Sequence, residues 1–261
     1  MSANPLAKKS LGQHWLRDPR SLQAMCDAAG VSPEDTVLEI GPGLGTLTEL
    51  LVERVGRVTA VEFDERLARD LPQRVAAENL QVVSQDILSF DFTSLPPDYK
   101  LVANIPYYLT SNLVRVISET SNPPAVAVLL VQKEVAERVA AQPGAMSLLS
   151  VTAQFYWEVS LGQVVRAELF DPAPKVDSQI LILKRRPAPL YPGVDTKKFF
   201  RLAKAGFAQR RKTLLNSLGA GLHLGREETQ KLLESANIES TRRAQTLSLA
   251  EWYTLYQTHN T

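Results

Sequence analysis

Apolar and polar positions in the first half of the chain are grouped in blocks, and the blocks are of two kinds. Short apolar runs at 36–40, 57–61, 81–84, 99–103 and 125–131, each bounded by glycine, proline or an acid, have the length and composition of buried strands. Between them, 19–29, 46–55, 64–77 and 111–119 carry apolar residues three and four apart, which predicts helices; the first opens on Asp18-Pro19, a capping acid followed by proline at the first turn. Such alternation predicts an α/β domain with a doubly wound, parallel sheet. The pattern changes after a helix at 133–140. Runs at 150–157, 160–165 and 178–184 all read as strands, so the sheet is expected to finish with an antiparallel pair. Residues 186–193 are proline-rich and read as a linker, and 196–218, 226–236 and 249–257 again have helical spacing. Two domains follow: an α/β domain over 1–185, with a leader over 1–18, and a small helical domain over 186–261.

Composition narrows the chemistry. At 261 residues the chain can build both cores. No apolar run approaches the roughly 20 residues of a membrane span, and the polar start around Lys8 and Lys9 lacks a signal-peptide core. The expectation is a soluble, cytoplasmic protein. The single cysteine, Cys26, lies in a helical stretch and reads as core, while His14, His223 and His259 have no metal-ligand spacing. Neither thiol nor metal chemistry is supported. A net charge of +1 conceals an asymmetry: from Lys184 onward there are 14 Lys and Arg against 6 Asp and Glu, while the rest of the chain has 15 against 22. The basic tail suits either a phosphate backbone or a solvated helical surface.

Four strand ends carry the candidate chemistry. Gly41, Gly43 and Gly45 follow the first strand and open a helix, where a backbone must approach a ligand closely. A dinucleotide fingerprint would place its third glycine at 46, where Thr46 stands; the spacing fits S-adenosylmethionine better than NAD or FAD. Glu62 ends the second strand, where a carboxylate can accept both ribose hydroxyls, and Asp86 ends the third, where it could accept from an adenine amine. The fourth strand empties into Asn104-Ile105-Pro106-Tyr107. The amine of adenine is delocalised into its ring and attacks poorly unless its protons are drawn away and the base is held. The Asn104 side-chain oxygen and the Ile105 carbonyl can accept the two N–H bonds, Pro106 fixes the turn, and Tyr107 can stack on the base.

With these residues the chain resembles the ribosomal RNA adenine dimethyltransferase family, and within it the bacterial small-subunit (16S) members. Five ordered segments carry the resemblance: Lys9-Ser10-Leu11-Gly12-Gln13-His14-Trp15-Leu16, Glu39-Ile40-Gly41-Pro42-Gly43-Leu44-Gly45, Asn104-Ile105-Pro106-Tyr107-Tyr108, the run from Phe170 to Ser178, and that from Phe207 to Leu214. Ile105 favours the RNA enzymes, since DNA adenine methylases place a second proline there. The resemblance implies a class I methyltransferase fold (Rossmann-like, mostly parallel sheet) with a helical C-terminal RNA-binding domain, and S-adenosyl-L-methionine as methyl donor. It places cofactor contacts at His14, Leu16, Gly41, Glu62, Asp86 and Asn104; His14 departs from the asparagine frequent at that position. It implies that Phe170 approaches the face of the target base opposite Tyr107. Lys8, Lys9, Lys175, Arg201, Lys204, Arg210, Arg211, Lys212, Arg242 and Arg243 become candidates for phosphate contacts. The expected activity is dimethylation of two adjacent adenosines near the 3′ end of 16S rRNA in the immature small subunit, by a monomer that needs no metal. Methylation of large-subunit RNA and a non-catalytic assembly factor on the same fold are the alternatives.

Overall fold

The computed structural model describes residues 11–188 and 190–259. Its backbone separates into two compact units, Met1–Ala136 with Glu158–Arg185, and Glu137–Trp157 with Arg186–Thr261.

The first unit runs β1 (Trp15–Leu16), α1 (Pro19–Ala29), β2 (Thr36–Ile40), α2 (Thr46–Val52), β3 (Arg57–Glu62), α3 (Glu65–Arg74), β4 (Leu80–Ser84), β5 (Lys100–Asn104), α4 (Thr110–Glu119) and β6 (Val126–Gln132), with α5 (Lys133–Val139) running on into the second unit; β7 (Trp157–Val165), β8 (Phe170–Asp171) and β9 (Ser178–Arg185) complete it. Helix α1 forms where its caps predict: the Asp18 carboxylate accepts the Ser21 N–H at 2.9 Å, and Gly30 ends the helix in the left-handed region at φ 56°. Seven strands lie in the order β4-β3-β2-β5-β6-β9-β7. The first five pair in parallel, and β9 runs antiparallel to β6, with Ser178 opposite Gln132. Strand β6 is buried without interruption from Ala127 to Val131, as a central strand covered on both faces must be. Beneath one face, Leu16, Met25, Leu51, Val102 and Val128 share one core.

The second unit is helical: α6 (Leu148–Tyr156), α7 (Thr196–Phe207), α8 (Leu214–Leu222), α9 (Arg226–Ser235) and α10 (Leu249–His259). Its core gathers Val151, Phe155, Phe199, Leu202, Leu233 and Trp252. Gly206 on α7 lets the Trp252 ring come so close that a Cβ there would lie 2.4 Å from Cη2.

Three expectations change. Residues 150–157 were expected as a strand, but 148–156 are helical. A capping box starts α6: the Ser147 hydroxyl accepts the Ser150 N–H at 3.2 Å, while the Ser150 hydroxyl accepts the Ser147 N–H at 2.6 Å. Val151 and Phe155, four apart, then face the Phe199 core, so a β-branched run yields to tertiary burial. The expected helix over 196–218 breaks at 208–213, where Gln209, Arg210, Arg211 and Lys212 offer no apolar face; the first free amide of α8, at Leu214, donates to the Arg242 carbonyl at 2.7 Å. Finally, the second unit holds 137–157 in addition to the residues from Arg186 onward.

Candidate active site

The sheet reverses its winding between β2 and β5. Ile40 lies opposite both Val61 and Ala103, Glu62 opposite Ser84 and Asn104 opposite Leu130, so four carboxyl ends share one edge. A crevice at such a switch point is where open α/β sheets bind ligands. Two clefts meet there, one lined by the leader from Leu11 to Leu16 with Gly41, Gly43, Glu62 and Asn104 to Tyr108, the other by Gln85 to Leu88 and Val61; Gly41, Phe63, Pro106 and Tyr108 line both. His14, Leu16, Gly41, Gly43, Glu62, Asn104, Ile105, Pro106 and Tyr107 are thus brought together in the first cleft, and Asp86 stands in the second.

Gly41 and Gly43 hold positive φ of 66° and 59°, and a Cβ on Gly43 would sit 3.0 Å from the Trp15 ring. Glu62 ties this turn down: its Oε2 accepts the Gly43 N–H at 3.1 Å and its Oε1 the Asp64 N–H at 2.9 Å. Each carboxylate oxygen keeps a second lone pair, so the same group can still accept from a ligand hydroxyl. Burial pushes the Glu62 carboxyl above its usual range, and the two amides pull it back. Gly45 differs from its neighbours. At φ 92°, with a Cβ position only 2.8 Å from Val75 and 2.9 Å from Leu71, it seats the start of α2 near α3 and does not line either cleft.

Asn104 donates from Nδ2 to the His14 carbonyl at 3.1 Å, which turns its Oδ1 away as an acceptor. Tyr107 opens a single 3-10 turn; its hydroxyl lies 2.9 Å from Ser178 Oγ and its ring stacks on the His14 imidazole at 5.9 Å. The leader itself is held by the β1–β8 ladder, in which Leu16 opposes Phe170, and by Thr46 Oγ1 donating to the Leu16 carbonyl at 3.2 Å.

Three further residues at the clefts, Glu39, Phe63 and Tyr108, were not among the expected site positions. Glu39 sits on β2 with 1% exposure, lines the first cleft, and its Oε2 has no hydrogen-bond partner among the described residues. Burial pushes its carboxyl up to about 8, and the Glu62 carboxylate adds to the rise. The signal was an acid inside an otherwise apolar strand. Phe63 and Tyr108 are 60% and 67% exposed where the two clefts meet, an arrangement only the fold creates. Glu39 also makes stability depend on pH. The folded carboxyl holds its proton to about 8 and the unfolded one only to 4.5, so its contribution is fully present below 4.5 and is lost as pH rises through about 8. Glu39→Gln removes that slope. Its thermal midpoint should match the parent at pH 4.5 and exceed it by several degrees at pH 8 in calorimetry; equal midpoints at both values would refute the assignment.

The other expected residues that the structure describes are not among those lining the two clefts. Phe170 is 5% exposed, pairs opposite Leu16 and packs in the core that also holds Leu16 and Met25; it is not among the residues that line the two clefts. Lys175 is exposed on the loop before β9. Arg201 and Lys204 are exposed on α7, Arg210, Arg211 and Lys212 on the turn after it, and Arg243 before α10. Arg242 is engaged inside its own unit, where its guanidinium pairs with Glu251 through two nitrogens and donates to the Thr246 carbonyl at 2.8 Å; that weakens it as a phosphate contact. Lys8 and Lys9 fall outside the described residues. Cys26 is fully buried and its thiol is pushed up to about 11, which fits core packing. Among the described residues no cluster of His, Cys, Asp and Glu could hold a metal ion, and no helix is long and apolar enough to cross a membrane.

This strand order, with a glycine turn after β2, an acid ending β3 and another just beyond β4, is that of a class I methyltransferase. The chain belongs to the ribosomal RNA adenine dimethylase family, whose model matches residues 4–255. It is 44% identical over 250 residues to ribosomal RNA small subunit methyltransferase A of Dehalococcoides mccartyi, covering 94% of this chain and 86% of the relative. The protein of the same description from Geobacillus thermodenitrificans is 38% identical over 261 residues, with 95% and 89% covered. Among solved structures, a dimethyladenosine transferase from Plasmodium falciparum superposes with a TM-score of 0.82 at 25% identity, covering 95% of this chain and 98% of that one. The 23S rRNA methyltransferase ErmE gives 0.74 at 29% identity, with 95% and 100% covered.

Proposed function

We propose that this dimethylase transfers two methyl groups from S-adenosyl-L-methionine to the exocyclic amine of each of two adjacent adenosines near the 3′ end of 16S rRNA, late in small-subunit assembly. The observation that carries the reading is the junction of two features in one cleft: a glycine turn closed by buried acids, and an asparagine amide already oriented as an acceptor.

The residues present fit a cationic nucleoside. Glu62 offers ribose acceptors, Asp86 stands at the lip of the neighbouring cleft, Phe63 supplies an exposed apolar face, and the orphaned Glu39 oxygen gains a partner when positive charge enters. When bound, the donor supplies a methyl group on a positively charged sulfur. The chain's own part is orientation. Asn104 Oδ1 and the Ile105 carbonyl accept the two amine hydrogens, which concentrates the nitrogen lone pair in the direction of attack, while Tyr107 holds the base by stacking. The chain would need only to hold the amine in line with that methyl group and let the amine proton leave to solvent, so positioning would supply most of the acceleration and no strong base is required. Burial pushes the Tyr107 hydroxyl upward, which keeps it neutral during the reaction.

The exposed cations Arg201, Lys204, Arg210, Arg211, Lys212 and Arg243, together with Lys175, are read as phosphate contacts that steepen the salt dependence of binding. The protein is read as a cytoplasmic monomer acting without metal. The test is a methyl-transfer assay on immature small subunits with the modified nucleotides mapped by mass spectrometry. Dimethyladenosine at two adjacent positions near the 3′ end is the expected product; label confined to large-subunit RNA would overturn the reading.

A further inference from the structure

The aromatic ring that would carry the target base is held by a residue on another strand. Tyr107 belongs to a 3-10 turn of only three residues, and the turn fixes its backbone, with Thr110 Oγ1 donating to the Tyr107 carbonyl at 3.1 Å. A short turn leaves the side-chain torsions free, and an aromatic ring there has several staggered wells available. In this protein two contacts select one. Ser178, the first residue of β9, is fully buried, and its Oγ lies 2.9 Å from the Tyr107 hydroxyl. The His14 imidazole lies against one face of the ring, with centroids 5.9 Å apart and planes 18° from parallel. His14 is itself fixed, since its Nδ1 is 2.7 Å from the Pro172 carbonyl, which can only accept. With His14 flanking the ring on one side, the opposite face is the one offered to the base.

We propose that Ser178 is a positioning residue for adenine capture, acting through the Tyr107 hydroxyl to hold the ring ready for stacking. The inference rests on the reading of Tyr107 as the base platform. Ser178 is suited to this because its own place is set by the sheet: the Ser178 Cα stands opposite Gln132 in the β6–β9 ladder, and the preceding Asp177 is tied down by its carbonyl accepting the Lys133 N–H at 3.0 Å and its Oδ1 accepting the Ala167 N–H at 3.0 Å. The hydrogen bond therefore transmits the position of a central strand pair to the ring. An immobilised aromatic side chain does not lose that freedom again when the base arrives, which is worth about three- to tenfold in capture.

The test is a double-mutant cycle of Ser178→Ala and Tyr107→Phe, each in the full-length protein. Tyr107→Phe keeps the stacking face and removes only the hydroxyl. Three quantities are read: kcat and KM for methylation of the immature subunit, quenching of 2-aminopurine placed at the target adenosine, and calorimetric affinity for S-adenosylhomocysteine. Each single variant should raise KM about three- to tenfold and weaken the quenching, with homocysteine-cofactor affinity unchanged. The double variant should be no worse than either single one, since both remove the same bond. Wild-type behaviour of Tyr107→Phe, or losses that multiply in the double variant, would overturn the proposal. Absence of dimethyladenosine with the wild-type protein would instead overturn the functional reading on which it rests.

Discussion

Asn104→Ala is expected to lower the rate of methyl transfer by about a thousandfold while binding of the immature subunit stays within about twofold. The size of the effect follows from what the amide does. In the proposed reaction it is the acceptor that draws an amine hydrogen out of the plane of the base, and its direction is fixed in advance because Nδ2 donates to the His14 carbonyl at 3.1 Å. Alanine removes the acceptor and leaves the base free to turn. The fold loses little: the side chain is half-buried and makes one hydrogen bond, worth about 1 kcal/mol. A thermal melt alongside the transfer assay separates the two, and full methylation by the folded variant would show that the acceptor lies elsewhere.

Glu62→Gln is expected to weaken binding of S-adenosylmethionine by about a hundredfold, with RNA affinity unchanged. Both carboxylate oxygens already accept backbone amides, from Gly43 at 3.1 Å and Asp64 at 2.9 Å. An amide in place of the carboxylate turns an NH2 group toward one of those N–H groups, so two donors face each other in a site that is 6% exposed. The glycine turn must shift to relieve the clash, and one of the acceptors proposed for the ribose disappears at the same time. Calorimetric titration with the cofactor reads the loss directly. Affinity retained within threefold would mean that Glu62 only pins the turn.

How much of this was legible in the sequence depends on where each property resides. The strands, the glycine turn and Asn104 to Tyr107 are local: their period, their punctuation and their unusual residues all lie within a few positions, and the structure brings those residues to one edge. Properties set by distant partners were not legible. The burial of Phe170 follows from its pairing opposite Leu16, which its own neighbours in the chain do not announce. Arg242 reads as a free cation until Glu251, nine positions on, is seen to hold it. Glu39 looked like part of a motif, and its burial and missing partner are properties of the closed sheet. The segment 148–156 misled because β-branched and aromatic residues favour a strand locally, while Ser147 and Ser150 cap a helix whose core partner, Phe199, lies far along the chain.

That last arrangement governs how the chain can be made. The sheet is interrupted in sequence by 137–157, which belongs to the helical unit, and it is finished only by β7 and β9. Val151 and Phe155 therefore emerge during synthesis well before Phe199 and Trp252 exist to cover them. A chain stopped at Arg185 would carry every strand of the sheet and still display an uncovered aromatic helix, making the nascent protein dependent on its last 76 residues for solubility.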